Sequence, residues 1–158
     1  MRLVCPYVPA GLRDETIDAL EALDRPLEMI DVSASDESYA RLIARLWHDG
    51  EDFLLIEHDM IPTKDAVEHM ECCPRWWCAN AYRVNHQVGD VIMGLGFTRF
   101  RAELCEVMAD APARAPRWSG RYPRRHWIGV DARLTRVLGE AGMAPHRHLP
   151  DVGHLHLV

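Results

Sequence analysis

Within residues 52–62 an apolar run of four, Phe53 to Ile56, ends abruptly in Glu57, His58 and Asp59, followed by Met60, Ile61 and Pro62. A continuous apolar run is the pattern of a strand buried on both faces in a parallel sheet. The carboxyl end of such a strand is where open α/β sheets bind ligands. Carboxylates two positions apart at a strand tip repel each other unless a cation lies between them. Hard oxygen ligands of this kind suit Mg²⁺ or Mn²⁺, which in turn bridge to substrate phosphates. The same residues also fit a solvated loop that happens to carry two acids.

Histidine and cysteine supply the remaining metal-ligand chemistry. The C-terminal segment holds two His-x-His pairs, His146 with His148 and His154 with His156. On an extended chain such a pair points both rings to one side. The five cysteines are Cys5, Cys72, Cys73, Cys78 and Cys105. Their odd number and apolar surroundings fit reduced thiols in a reducing compartment. A structural zinc site would draw on Cys72, Cys73 and Cys78 with the histidine tail. The spacing argues against it, since zinc ribbons and fingers use close pairs such as C-x₂-C. A Cys-His hydrolase has no recognisable motif around any of the five thiols.

Charge is unevenly spread. The net formal charge is −6, yet residues 1–75 hold 17 acids against 7 bases and residues 76–158 hold 7 against 11. Arg114, Arg117, Arg121, Arg124 and Arg125 fall close together with Trp118 and Tyr122 among them and no acid. Arginine makes bidentate contacts with phosphate, and aromatic rings stack on bases or sugars. The segment therefore reads either as a solvated loop or as a contact for a phosphorylated partner, nucleic acid included.

The elements that must position these residues follow from periodicity. The 158 residues, 48% hydrophobic and 27% charged, suit one compact domain of ordinary composition. No apolar run reaches the roughly 20 residues of a membrane span, and no signal peptide is visible, so a cytoplasmic protein is expected. Strands are predicted over residues 2–8, 27–32, 52–56, 76–84 and 93–100. Helices are predicted over residues 12–23, 63–70, 102–109 and 127–141. One more follows Ser33, Ala34, Ser35 and Asp36, which offer N-cap residues. Its apolar face is Tyr39, Leu42, Ile43, Leu46 and Trp47, and Gly50 is its C-cap. Residues 111–125 read as a loop and residues 145–158 as an extended tail. The front β-α-β-α-β alternation implies a parallel sheet with helices on its faces. Neither a dinucleotide-binding glycine fingerprint nor a P-loop is present.

With the third strand placed, the chain resembles the GT-A fold of nucleotide-sugar-dependent glycosyltransferases, in a small form. The signature of that family is an acidic triplet, usually Asp-x-Asp, after a hydrophobic strand; here it stands as Glu57-His58-Asp59, with glutamate at its first position. The resemblance implies a single α/β/α three-layer domain with a mostly parallel sheet. Residues 1–62 would form the nucleotide-binding half, and residues 63–158 the acceptor side and metal-binding tail. It implies transfer of a sugar from a nucleoside-diphosphate sugar, UDP-sugar favoured, to an acceptor hydroxyl, with Mn²⁺ or Mg²⁺ bound. Glu57, Asp59 and one or both of His154 and His156 would hold the metal. Pro6, Tyr7, Val8, Asp31, Arg41 and His58 would face the nucleotide. Gly94, Leu95, Gly96, Trp127 and Arg125 would border the acceptor, which a modified base in DNA would fit. Asp131 would be the base of an inverting transfer.

Each of these residues also has a plainer role. Tyr7 packs, Asp31 caps, and Arg41 is solvated. The glycines make a bulge, and Asp131 is an acid in the first turn of a helix, where the dipole favours it. Two whole-chain alternatives stand beside the transferase: a non-catalytic nucleotide-sugar-binding module and the structural zinc protein. The sequence is silent on oligomeric state.

Overall fold

The computed structural model describes residues 1–83, 91–92, 94–115, 126–148 and 152–155, with side chains described outside 82–83, 91–92 and 126–128. In chain order the elements are β1 (Arg2–Tyr7), α1 (Asp14–Glu21), β2 (Leu27–Asp31), α2 (Ser38–Asp49), β3 (Phe53–Ile56), β4 (Met60–Ile61) and α3 (Lys64–Cys72). There follow β5 (Trp77–Asn80), β6 (Tyr82–Arg83), β7 (Val91–Ile92), β8 (Phe97–Phe100), α4 (Ala102–Val107) and α5 (Ala111–Arg114). The described chain closes with α6 (His126–Glu140), β9 (His146–His148) and β10 (Gly153–His154).

Six strands form one mixed sheet in the order β2-β1-β3-β8-β5-β9. The pairs β1–β2, β1–β3 and β5–β9 are parallel, while β8 runs antiparallel to both neighbours. Because β8 is the one reversed strand, the other five all end at the same edge of the sheet. This is an α/β fold with a mostly parallel sheet. Two small antiparallel ladders, β4–β10 and β6–β7, lie outside it.

β3 shows why its sequence is apolar throughout. Phe53 and Leu55 enter one core cluster; Leu54 and Ile56 enter the other. Neither side of the strand meets water, so no polar alternation survives. The first cluster gathers Tyr39, Leu42, Ile43, Leu46 and Trp47 of α2 with residues of α4, α5 and α6. Phe100 sits at its centre, with the rings of Trp47 and Phe53 each at 5.2 Å and Trp77 stacked at 5.6 Å. The indole N–H groups of Trp47 and Trp77 donate to the Met108 and Met143 carbonyls, both at 2.9 Å, which satisfies their one polar atom. The second cluster packs Leu20, Ala66, Val67 and Met70 against Leu3, Cys5, Cys78 and Phe97.

Helix ends follow local chemistry. Thr63 accepts from the Ala66 N–H at 3.2 Å to open α3, and Gly50 closes α2 in the left-handed region at φ 68°. Three expectations change. The N-cap position of α2 is Glu37, which makes no side-chain cap bond. The Asp31 carboxylate and the Ser38 hydroxyl accept the N–H groups of Ser33 at 2.8 Å and Ser35 at 3.1 Å, and the Ser35 carbonyl accepts from the Ser38 N–H at 3.0 Å. The strand expected over 76–84 is interrupted at Ala81, whose N–H bonds to the His148 carbonyl at 3.1 Å. The segment read as loop begins with one helical turn, α5, where Pro112 stands in the first turn and loses no bond.

Arg99 is the least expected core residue. It lies in β8, 2% exposed, and its guanidinium donates to the carbonyls of Glu71 (3.2 Å), Cys73 (2.8 Å) and Arg75 (2.6 Å). The Glu71 carbonyl is one that the last turn of α3 leaves without a helical partner, and Cys73 and Arg75 lie just beyond it. One buried cation thus closes a helix and joins it to the sheet.

Candidate functional site

At the shared strand edge, β3 ends in a turn that turns the acidic triplet back over the sheet. The Glu57 N–H donates to the Gly96 carbonyl at 2.8 Å, extending the β3–β8 ladder by one bond. The Met60 N–H closes the turn on the Glu57 carbonyl at 2.9 Å. β4 then pairs with β10, and the Leu155 N–H donates to the Asp59 carbonyl at 2.7 Å. The C-terminal segment is therefore bonded directly to the triplet, and His154 Nε2 lies 3.2 Å from Asp59 Oδ2.

Glu57 is 8% exposed and accepts a 2.5 Å hydrogen bond from the Tyr39 hydroxyl. Asp131 reaches in from α6, where Oδ2 accepts from the Leu95 N–H at 3.3 Å. Oδ1 of Asp131 and Oδ1 of Asp59 are both buried and lack a hydrogen-bond partner among the described residues. The protonation behaviour records this crowding. Burial holds Glu57 well above the usual carboxylate range; the charges of Asp131 and Asp59 add to the rise, and the Tyr39 bond opposes it. Burial likewise pushes Asp131 up to about 7, against the Leu95 hydrogen bond and with help from Asp59. At neutral pH Asp131 therefore keeps part of its proton. Its expected first-turn placement changes, because α6 begins at His126 and Asp131 falls in the second turn, beyond the reach of a first-turn dipole effect.

Three carboxylates and an imidazole thus converge, two of their oxygens buried without partners. Adjacent ligands on an octahedral ion at 2.0–2.1 Å lie ~3 Å apart, close to the 3.2 Å between His154 and Asp59. The donor types are those of a hard divalent cation, but among the described residues no three of these ligand atoms lie within 4.8 Å of one another.

The other expected residues are placed as follows. Tyr7 and Asp31 are ladder partners at the carboxyl ends of β1 and β2. Tyr7 is half-buried, and exposed Asp31 is held below its usual range by the Ser33 hydroxyl and N–H. Pro6 is paired with Ile30, and Val8 packs on the first core cluster. His58 is 6% exposed and turned inward; burial lowers its pKa while the Pro6 backbone hydrogen bond opposes that. It lies so close to Gly11 that a Cβ there would sit 2.4 Å from Nε2. Exposed Arg41 is engaged by the Ser35 hydroxyl and by Glu37 at 3.6 Å. Leu95 and Gly96 border the carboxylates through the bonds above, and the Gly94 carbonyl accepts from the Thr98 hydroxyl at 3.1 Å. Arg125, His156 and residues 116–125 of the basic segment lie outside the described residues, as does the side chain of Trp127.

Two residues of the site were not singled out from sequence. Tyr39 stood among the apolar face of α2; the signal was its hydroxyl, which needs a partner when buried. Gly11 had no signal, because its neighbour His58 is brought to it only by the fold. A groove of about 650 Å³ beside α1 and β2, lined by Leu12, Ile17, Leu20, Leu27 and Met29 among others, contains none of Glu57, Asp59 and Asp131.

No protein-family model and no curated protein matches the chain. Solved structures do. The crystal structure of A197 from STIV aligns with TM-score 0.59 and 15% identity over 100% of this chain and 86% of that one. The crystal structure of a glycosyltransferase involved in glycosylation of the major capsid of PBCV-1 aligns with TM-score 0.51 and 7% identity, covering 96% and 82%. At these identities the likeness is one of fold. Among the described residues no helix is long and apolar enough to cross a membrane.

Proposed function

We propose that the chain is a metal-dependent glycosyltransferase of the GT-A three-layer kind, moving a sugar from a nucleoside-diphosphate sugar to an acceptor hydroxyl. The observation that carries this reading is the convergence of Glu57, Asp59 and Asp131 with His154 at the carboxyl edge of a mostly parallel sheet. The fold likeness to a glycosyltransferase supports it.

Asp59, Glu57 and His154 would hold Mn²⁺ or Mg²⁺, with His156 as a further candidate. When bound, the cation neutralises negative charge that builds on the leaving diphosphate. The chain's own residues do the rest. Backbone at Pro6, Tyr7 and Val8, with Asp31, faces the nucleoside; Tyr7 offers a ring for the base. The glycines at 94 and 96 leave room for the acceptor beside the carboxylates. The Leu95 N–H fixes one oxygen of Asp131, so that its second oxygen, Oδ1, is directed to take the acceptor hydroxyl's proton. UDP-sugar is the favoured donor, and the basic segment from Arg114 to Arg125 suits a phosphorylated acceptor.

Calorimetric titration of UDP and other nucleoside diphosphates, with Mn²⁺ and with excess chelator, tests the reading. Binding should require the cation, and Asp59→Asn should abolish that requirement along with the affinity while leaving the circular dichroism unchanged. Equal affinity with and without Mn²⁺ sinks the proposal. Mn²⁺-dependent binding with no hydrolysis or transfer of any nucleotide sugar would instead assign a binding module.

A further inference from the structure

A second group of ligand-type side chains meets on the side of the sheet that faces α3, and it shares no residue with the carboxylate site. Cys73 follows the last turn of α3, Cys78 lies in β5, and His146 and His148 lie in β9. One ligand atom each from Cys73, Cys78 and His148 falls within 4.8 Å of the other two. His146 Nδ1 is 3.2 Å from Cys73 Sγ, and the two histidine rings meet edge-on at 4.7 Å. The parallel pairing of β5 with β9 creates the group, setting Cys78 opposite His146 and Asn80 opposite His148.

Three observations point to a cation. Thiol and imidazole together are the donor set of zinc, whereas Mg²⁺ and Mn²⁺ take oxygen. In a tetrahedral zinc site with Zn–S near 2.3 Å and Zn–N near 2.0–2.1 Å, neighbouring ligand atoms lie ~3.5–3.8 Å apart. A contraction of at most about 1 Å would bring the three atoms to that spacing, and His146 is already at hand for the fourth position. Finally, His148 Nε2 is buried with no hydrogen-bond partner among the described residues. An orphaned ring nitrogen in such a place costs stability unless something accepts its lone pair.

We infer that Cys73, Cys78, His148 and His146 form a structural Cys₂His₂ zinc site that fastens β9 to β5 and to the end of α3. Zinc displaces one proton from each thiol, and the two protons pass to solvent; nothing is oxidised or reduced. The resulting centre is neutral, which suits a position beside buried Arg99. All four ligands come from the protein, so no coordination position is left open for chemistry. Cys72, next in sequence to Cys73, is exposed and takes no part.

The test uses the full chain purified without chelator and dialysed against substoichiometric competitor. Metal analysis and native mass spectrometry should find one zinc per chain, retained in Asp59→Asn, whose carboxylate belongs to the other site. Cys78→Ser and His148→Gln should each weaken zinc binding about 100-fold or more, with folding checked by circular dichroism. Because a cysteine variant could fail to fold, cobalt substitution of the unaltered chain gives an independent reading. Tetrahedral visible bands and a thiolate-to-cobalt charge-transfer band are expected. Absence of those bands, zinc undiminished in His148→Gln, or a Cys73–Cys78 disulfide in protein prepared under reducing conditions overturns the inference.

Discussion

Asp131 carries the sharpest consequence at the scale of one residue. Its Oδ2 is tied to the Leu95 N–H and its Oδ1 is buried, and burial holds its pKa at about 7. A base must be deprotonated to act, and a cation bound beside it lowers this pKa, so turnover in Mn²⁺ should rise with pH through a value below about 7. Asp131→Asn should remove that limb and lower transfer by the roughly 10²–10⁴-fold typical of a lost general base. UDP binding in Mn²⁺ should stay nearly intact in the same variant. If nucleotide affinity falls as far as turnover, Asp131 is a cation ligand rather than the base. The sequence exposed this residue as the acid after the basic segment. It could not show that Asp131 joins Glu57 and Asp59, because more than 70 positions separate them and only the packing of α6 brings them together. Tyr39 was hidden for the opposite reason: its ring belongs to the core, and its hydroxyl belongs to the site.

Among the elements, β3 was legible and β8 was less so. An unbroken Phe-Leu-Leu-Ile run admits little besides a strand covered on both faces. The Phe-Thr-Arg-Phe sequence of β8 places a charge in mid-strand, which reads as an exposed edge. In the fold it is an interior strand, and Arg99 is buried because three carbonyls at the end of α3 receive its guanidinium. Arg99→Met keeps the volume and loses the donors. Hydrogen bonds to charged groups are worth ~1.5–3 kcal/mol each, so the variant should lose about 3 kcal/mol or more, read as a lower urea midpoint. A midpoint within experimental scatter of the parent would mean that water replaces the guanidinium without cost. The pairing of β9 with β5 was illegible for a related reason. Two His-x-His pairs and a Cys-x₄-Cys carry no spacing rule, and a parallel ladder between distant segments leaves no local trace.

For the whole molecule, the crowded carboxylates govern how stability depends on pH. Glu57 and Asp131 titrate above the ordinary range, so the folded chain keeps protons that the unfolded chain has released. Stability must then fall as pH rises between about 4 and 7. For Asp131 alone, a rise from 3.8 to about 7 corresponds to at most ~4 kcal/mol. Glu28 and Glu71, held down by Arg2 and Arg25, act in the opposite sense below about pH 4.5, and His58 and His148, held down mainly by burial, do so below about pH 6.5, so the loss shows cleanly only above that. Thermal melts in chelator should therefore give a lower midpoint at about pH 7.5 than at about pH 6.5. Saturating Mn²⁺ should reverse that order. Melts in chelator that rise over the same interval would show that the carboxylates are not crowded in solution.

The ladder between β4 and β10 is only two residues long on each side. So small a ladder has little stability of its own, and it can open while the six-stranded sheet stays closed. Its opening would carry His154 away from Asp59 and free the Leu155 amide, which otherwise donates to the Asp59 carbonyl. Hydrogen exchange at that single amide thus becomes a clock for the site. It should tick fast in chelator, slow down as Mn²⁺ is added, and leave the amides of β1 and β3 untouched. An exchange rate at Leu155 that ignores the cation would separate the tail from the carboxylates it lies beside.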